Sequence, residues 1–470
     1  MLGLFGTLNL ATRSLQNQQL GVEVSGHNLA NVNNPAYSRQ RVQLESAPTL
    51  PGPYGAQGTG AQVAAIQQLR NSFLDRQVQA EASITGYLEA QQQALELAQS
   101  DLGQVLDLGA ASTGAAGTDG STGLAKELSD LFNGFQSLST APASLTERQA
   151  VLSEAQTLAT EFNQIDQRLG DLRQGLNDSL QSDVGAVNGL LADIARLNRE
   201  VAGTENASGG AANDLRDLRQ SKLEELAALV KVDSAAGANG AVDVAIAGVA
   251  VVGGGEVLET LEAYDAGGGQ WLVRARSTGE AINPTSGSIR GKIDVRDGAV
   301  GALRTQLDTL AAEVITQVNA IHANGYGLTG ATGEAFFTGT GAGDIQVNQR
   351  LLNDPRLLQA SGGAGESGNN QVALALAQLK DKKLAGLNGQ TFDESYGQTV
   401  AQFGQALASV NDQVETQAVV TTTLRNQRNS VSGVSLDEEL TNLMQYQKAY
   451  QASARLITTV NEMLQTVLSM

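Results

Sequence analysis

The chain of 470 residues sets 49 acidic against 30 basic side chains, and a net charge of −19 argues against nucleic acid or an anionic membrane as partner. It contains no cysteine, which excludes disulfides, thiolate nucleophiles and zinc–thiolate centres. Aromatic residues make up only 4%, low for an enzyme pocket with flat apolar walls, whereas 41% hydrophobic residues suffice for packed cores and the length suits about two to four domains.

The start, MLGLFGTLNLATRSLQNQQL, has neither a basic n-region nor an uninterrupted apolar h-region, so a conventional secretory signal is not expected. No apolar run approaches the roughly 18 residues that span a bilayer, so no membrane insertion is expected either. Leu8, Leu15, Val22 and Leu29 repeat every seven residues, with Ala11, Gln18 and Ser25 at the second seam position. So narrow an apolar stripe predicts a helix that is marginal alone and needs a partner. In HNLANVNNPAYSRQRV the residues Asn28, Asn31, Asn33 and Asn34 suit a helix exit, because Asn tolerates the left-handed conformation and bonds nearby backbone. Pro35 drives Asn34 out of the helical region, which predicts an ordered turn leading into the extended YSRQRVQLE. Residues 1–60 are thus read as a terminal helix with an extended linker.

Residues 62–102 place Val63, Ile66, Leu69, Phe73, Ala80, Ile84, Leu88, Leu95 and Ala98 at helical spacing. A Gly-rich break, GAASTGAAGTDGSTG (109–123), precedes helices near 124–139, 144–202 and 213–231, so 61–231 reads as the first part of a helical body. Texture changes over 232–291: Val242, Val244, Ile246 and Val252 share one parity, QWLVRARSTG is β-prone, and Gly clusters supply turns. This predicts a small inserted β-domain. The body resumes over 292–429, with helices at 294–323 and 395–429 and a β-hairpin within 325–348.

The last segment, 430–470, alternates steps of four and three through Leu436, Leu440, Leu443, Gln447, Tyr450, Ala454, Ile457, Asn461, Leu464 and Leu468. Tyr446, Val460 and Val467 widen the stripe, and Ser435 with Glu438 forms a capping-box pattern. The two ends read as complementary helices that pair. The fold class is therefore mainly α: an elongated multidomain protein with paired terminal coiled-coil helices, a long-helix bundle with a β-hairpin, and a small inserted β-domain.

Chemistry is poorly provided for. His27 and His322 are the two histidines, and neither has a nearby acid–nucleophile pattern. GTGAGD (339–344) and SGGAGESG (361–368) lack a phosphate-binding lysine and a βαβ context. Asp437, Glu438 and Glu439 fall in a first helical turn, where the dipole favours negative charge. No catalytic residue, cofactor or metal is assigned.

The opening motif resembles the signature of the flagellar axial proteins, the rod, hook and junction family, in which an Asn-rich helix exit precedes a Pro-Gly-Tyr turn. Tyr37-Ser38-Arg39-Gln40 resembles the continuation seen in the hook-associated protein 1 subgroup. GVSLDEELTNLMQYQKAYQASARLITTVNEMLQTVL (433–468) and HANGYGLTGATGEAFF (322–337) are similar to that subgroup's C-terminal helix and internal hairpin. His27 stands where the family generally has Asn and Ala36 where it has Gly; the middle is short, suggesting one small β-domain rather than two.

The resemblance implies a structural adaptor that joins hook to filament in the bacterial flagellum. Such subunits leave the cell unfolded through the flagellar type III export channel and polymerise at the growing tip. Expected partners are sibling copies in a ring or tube, the hook protein, a second junction protein or flagellin side, and an export chaperone on the C-terminal helix; the expected location is extracellular. Under this reading Leu8, Leu15, Val22 and Leu29, with Leu443, Tyr450, Ile457 and Leu464, carry the assembly interface. Asn31, Pro35, Tyr37 and Arg39 then set the angle between terminal helix and body. On the residues alone an ordinary intramolecular helix pair stays open. So do a hook or distal-rod component and, from another class, a surface adhesin using 232–291 or a hydrolase on a helical stalk.

Overall fold

The structure, a computed structural model, describes residues 3–52, 55–102 and 123–469. Most of the Gly-rich break expected at 109–123 lies outside these residues. Among the described residues 65% are helical. Its first helix, α1 (Leu4–Ala30), lies against its last, α11 (Leu436–Leu468), so the terminal helices pair within one molecule.

The linker pairs strand β1 (Gln40–Ser46) with β4 (Ala61–Gln68), antiparallel from Gln40↔Gln68 with a bulge at Gln43/Leu44; a short hairpin, β2 (Leu50–Gly52) and β3 (Gly55–Gln57), lies between them. This corrects the helical reading of 62–68. Val63 and Ile66, three apart, share a face only in a helix, but both are β-branched, and the availability of β1 as a partner decides for strand. Helix α2 (Ser72–Asp101) starts only where the Asn71 side chain accepts from the Phe73 and Leu74 amides.

Three helices follow, α3 (Leu124–Thr140), α4 (Leu145–Ser208) and α5 (Asn213–Leu229). Helix α4 has 64 residues, about 96 Å at a rise of 1.5 Å per residue. Ser144 caps its start, and Gly209 ends it in the left-handed conformation at φ 69°. It serves two hydrophobic cores. Its first half, through Phe162, Leu169 and Leu176, packs with α2, α3, α7 and α10; its second half, from Leu180 through Leu191 and Ile194, lies under the β-insert.

The insert comprises a four-stranded antiparallel sheet, β5 (Val232–Ala236), β6 (Val242–Ile246), β7 (Val249–Gly253) and β8 (Glu256–Val257). Beside it is a three-stranded sheet of β9 (Leu261–Asp265), β10 (Trp271–Ala275) and β11 (Ala281–Ile282). Val244, Ile246, Val252 and Val273 face α4. The β6–β7 turn needs positive φ at both central positions, which Ala247 (48°) and Gly248 (86°) supply.

The helix expected over 294–323 is two: α6 (Ser288–Asp297) and α7 (Ala299–His322) meet at Gly298, where a Cβ would lie 2.5 Å from the Asp294 carbonyl oxygen. Strands β12 (Phe337–Thr338) and β13 (Gln346–Val347) form the small hairpin, held to α7 by Asn319, which donates to Phe337 O and accepts from the Phe336 and Phe337 amides. Short helices α8 (Gln349–Asn353) and α9 (Gln371–Ala377) lead to α10 (Phe392–Ser432), which carries a full capping box of Thr391 and Glu394. The box expected at Ser435 and Glu438 does not form. Ser435 holds the N-cap position without a side-chain bond, and the Glu438 side chain turns instead to Arg39 at 2.6 Å.

Candidate assembly interface and linker hub

Three pairs define the register of the terminal helices. Ser14 Oγ lies 2.9 Å from Ser453 Oγ, Gly21 faces the Tyr446 ring, and Asn28 Nδ2 donates to Glu439 Oε2 at 3.1 Å. Each step of seven along α1 is a step of seven back along α11, the antiparallel heptad relation. The helices touch mostly along small and polar residues: Ala11, Gly21, Val24, Ser25 and Asn28 are buried on α1, and Glu439, Ser453 and Val460 on α11. Gly21 permits the close approach, since a Cβ there would stand 2.6 Å from Tyr446 Cδ1 and Cε1.

This contact line is rotated away from the line of large apolar residues. Leu8, Leu15, Val22 and Leu29 are half-buried, as are Leu443, Ile457 and Leu464, while Tyr450 is 38% exposed. Leu436, Leu440, Met444, Leu456, Met463 and Val467 are also exposed. Pairing within the chain therefore leaves apolar flanks on α11, which a water-facing surface does not require.

At one end of this pair lies a polar hub joining five segments. Asn28 is 1% exposed and uses its whole amide: Oδ1 accepts from Tyr37 Oη (2.7 Å) and the Gln40 amide (2.9 Å), and Nδ2 donates to Gln40 O (2.8 Å) and Glu439. Arg39 reaches Glu439, 2% exposed, through Nε at 2.7 Å, while its amide donates to Ser432 O and its carbonyl accepts from Leu69. Ser38 donates to Asp217 of α5 through both N–H and Oγ at 2.9 Å. Gln40 donates to Asp214 and accepts from Asn213.

Of the expected linker residues, Tyr37 and Arg39 lie inside this hub. Asn31 shapes the exit by donating to His27 O at 3.0 Å, and Pro35 is exposed in the turn. No residue from 28 to 36 adopts positive φ, so the turn rests on side-chain bonds, including Asn34 Oδ1 to the Ala36 amide, and an alanine at position 36 is accommodated. Sequence reading passed over Asn28 as a hub, and with it Ser38, Asp217 and Glu439. The available signal was a second seven-residue repeat, Ser14, Gly21, Asn28, mirrored by Glu439, Tyr446, Ser453.

Electrostatics oppose a catalytic reading. His27 contacts Tyr37 Oη (3.1 Å) and Asp214 (3.6 Å), an arrangement that resembles a relay. The Tyr37 proton, however, is committed to Asn28, and burial, reinforced by Asp214, Asp217 and Glu439, pushes the phenol far above its ordinary value. Burial likewise raises Asp217 despite the Ser38 bonds and Arg70. His322 is fully buried, its Nε2 accepting from the Gln359 amide and its Nδ1–H donating to Glu334 O; burial lowers it to about 4, so it is a neutral structural imidazole. In GTGAGD the amides of Thr340 and Gly341 are taken by Asp344 and that of Ala342 by Asp308, leaving these amides no phosphate cradle. Among the described residues no group of three or more His, Asp or Glu is placed to hold a metal ion, and no helix is long and apolar enough to cross a membrane.

Residues 115–337 match the family described as flagellar hook-associated protein FlgK helical domain, and 425–470 match flagellar basal body rod FlgEFG protein C-terminal. Flagellar hook-associated protein 1 of Bacillus subtilis (strain 168) is 28% identical over 518 aligned residues, covering 100% of this chain and 99% of the relative. Its namesake in Salmonella typhimurium is 23% identical over 564, covering 98% and 99%. Over its whole length the chain is thus similar to flagellar hook-associated protein 1. It is accordingly a structural protein of the flagellum. The flagellar hook junction protein FlgK from Burkholderia pseudomallei, at 15% identity, shares the fold with a TM-score of 0.63 over 76% of this chain and 100% of that one. Both relatives' alignments exceed the 470 residues here, so those proteins carry segments this chain lacks.

Proposed function

We propose that the chain is a non-catalytic adaptor at the hook–filament boundary that polymerises through its terminal helix pair. The observation that carries this reading is the mismatch between contact and composition: α1 and α11 meet mostly along small and polar residues, with Val24 and Val460 among them, and most of the large apolar side chains are left on the flanks. Those flanks, with Leu8, Leu15, Val22 and Leu29 on one helix and Leu443, Tyr450, Ile457 and Leu464 on the other, gain full burial only against neighbouring copies in a ring or tube. Neighbours along the axis are the hook protein on one side and a second junction protein or flagellin on the other. The subunit reaches the cell exterior by flagellar export in an unfolded state, with a chaperone on the C-terminal helix.

The terminal unit is residues 1–60 with 430–470, the β-insert 232–291, and the body 61–231 with 292–429. The hub of Tyr37 and Arg39, with Asn31 and Pro35 in the adjoining turn, fixes the angle between the terminal unit and the body. Substituting Tyr450→Asp, exposed in the single molecule, tests the reading. The purified variant should keep the unfolding temperature of the parent yet leave bare hooks and shed flagellin in cells. Normal filaments from Tyr450→Asp, Leu443→Asp and Ile457→Asp alike would rule the flanks out.

A further inference from the structure

Basic residues are scarce on this acidic chain, yet four arginines, Arg70, Arg76, Arg216 and Arg219, line one cleft of ≈ 400 Å³ between α2, α5 and the β5–β6 edge of the insert. Two of them are neutralised. Arg70 Nε lies 2.9 Å from Asp75 and its Nη1 3.4 Å from Asp217, and Arg216 grips Glu205 at 2.7 and 2.9 Å. The other two form no direct ion pair among the described residues. Arg219 is 6% exposed and donates Nη1 to Asn198 Oδ1 and Gly240 O, both at 2.8 Å and both neutral; no carboxylate forms an ion pair with it among the described residues. Arg76 is exposed in the same cleft and likewise forms no ion pair among the described residues.

A buried cation without an opposite charge is costly unless something completes it. Burial, with Arg216 and Arg70 adding repulsion and the more distant Glu205 only partly opposing it, lowers Arg219 to about 10, so it is still charged at neutral pH. The start of α2 contributes little here, because Asn71 already satisfies the Phe73 and Leu74 amides, and the Ser234 hydroxyl is taken by Gln79. What the cleft offers is guanidinium forks, whose planar donor geometry matches an oxyanion.

We propose that this cleft binds a small divalent oxyanion of the phosphate or sulfate class, held by Arg219 and Arg76. The ion ties the insert to the body, since Arg70 and Arg76 lie beside the start of α2 and on it, while Arg219 already grips Gly240 at the edge of the insert.

The test is calorimetric titration of the full chain with sodium phosphate and with sodium sulfate, against sodium chloride at matched ionic strength. One saturable site is expected for the two oxyanions and none for chloride. Arg76→Gln removes an exposed side chain without an internal ion-pair partner. It should weaken binding about tenfold while leaving the unfolding temperature in chloride unchanged. Arg219→Met should abolish binding; if that variant does not fold, the Arg76→Gln comparison decides alone. Both oxyanions stabilise proteins generally by exclusion from their surface, so saturation rather than a rise in melting temperature is the diagnostic. Absence of saturable heat, or equal affinity in Arg76→Gln and parent, would overturn the proposal.

Discussion

Replacing Gly21 with alanine should loosen the terminal helix pair, and the structure supplies the size of the effect. The new Cβ would stand 2.6 Å from two Tyr446 ring carbons and 2.8 Å from a third. Apolar carbons settle about 3.5–4.0 Å apart, so the ring or the helix must retreat by about 1 Å. Overpacking of that order costs about 1–3 kcal/mol, against which alanine gains about 1 kcal/mol over glycine in a helix interior. The balance is a loss of up to about 2 kcal/mol of local stability, or up to about 30-fold in protection. Native-state hydrogen exchange reads it directly, comparing α1 peptides with α4 as an internal control. In a Tyr446→Ala background the clash is gone, so the same substitution should reverse sign and protect α1. Equal loosening in both backgrounds, or none in the parent, would refute the register drawn from Ser14–Ser453 and Asn28–Glu439.

Arg39→Met strands the buried Glu439 carboxylate and should cost about 3–5 kcal/mol in urea unfolding of the terminal unit, most of it recovered by adding Glu439→Gln; a neutral single variant would show that the hub is not held by charge. Burial against α3, then the charges of Asp130, Glu147 and Glu127, raises Glu154 from 4.5 to about 7, and its Oε2 has no bonding partner. Because the folded state then binds a proton the unfolded chain does not, stability should fall as pH rises from about 4.5 to about 7. Glu154→Gln should therefore raise the melting temperature at pH 8 and lose that advantage near pH 5, whereas parallel pH profiles would contradict the assignment. His322 should hold its neutral Nδ1–H tautomer through pH 5 in nitrogen NMR, given a value near 4; titration around pH 6 would mean that its bonds to Gln359 and Glu334 do not form.

Periodicity made several elements legible: the terminal heptads, the long helix α4, and the β texture of the insert each follow from where apolar side chains recur. Local pattern was weaker where spacing and residue type disagree. Val63 and Ile66 are spaced as on a helix but are β-branched, and only hydrogen bonding to β1 chose the strand. The capping pattern at Ser435 and Glu438 is locally sound, yet Arg39, far away in sequence, draws Glu438 off. Tertiary competition of that kind leaves no trace in a local window.

By itself, the sequence settled that both ends are helical and mutually complementary, that thiol chemistry is excluded, and that the chain resembles flagellar axial proteins. Only the tertiary structure decided which line of each terminal helix faces the other. Apolar moment favours the large residues, but the closest approach of two backbones requires small ones, so Gly21 and Ser14 took the inside and most of the leucines were moved to half-buried flanks. It alone also gathered Asn28, Arg39, Asp217 and Glu439 into one hub, because their bonds span some 180 to 410 positions of sequence and exist only once the chain has closed on itself.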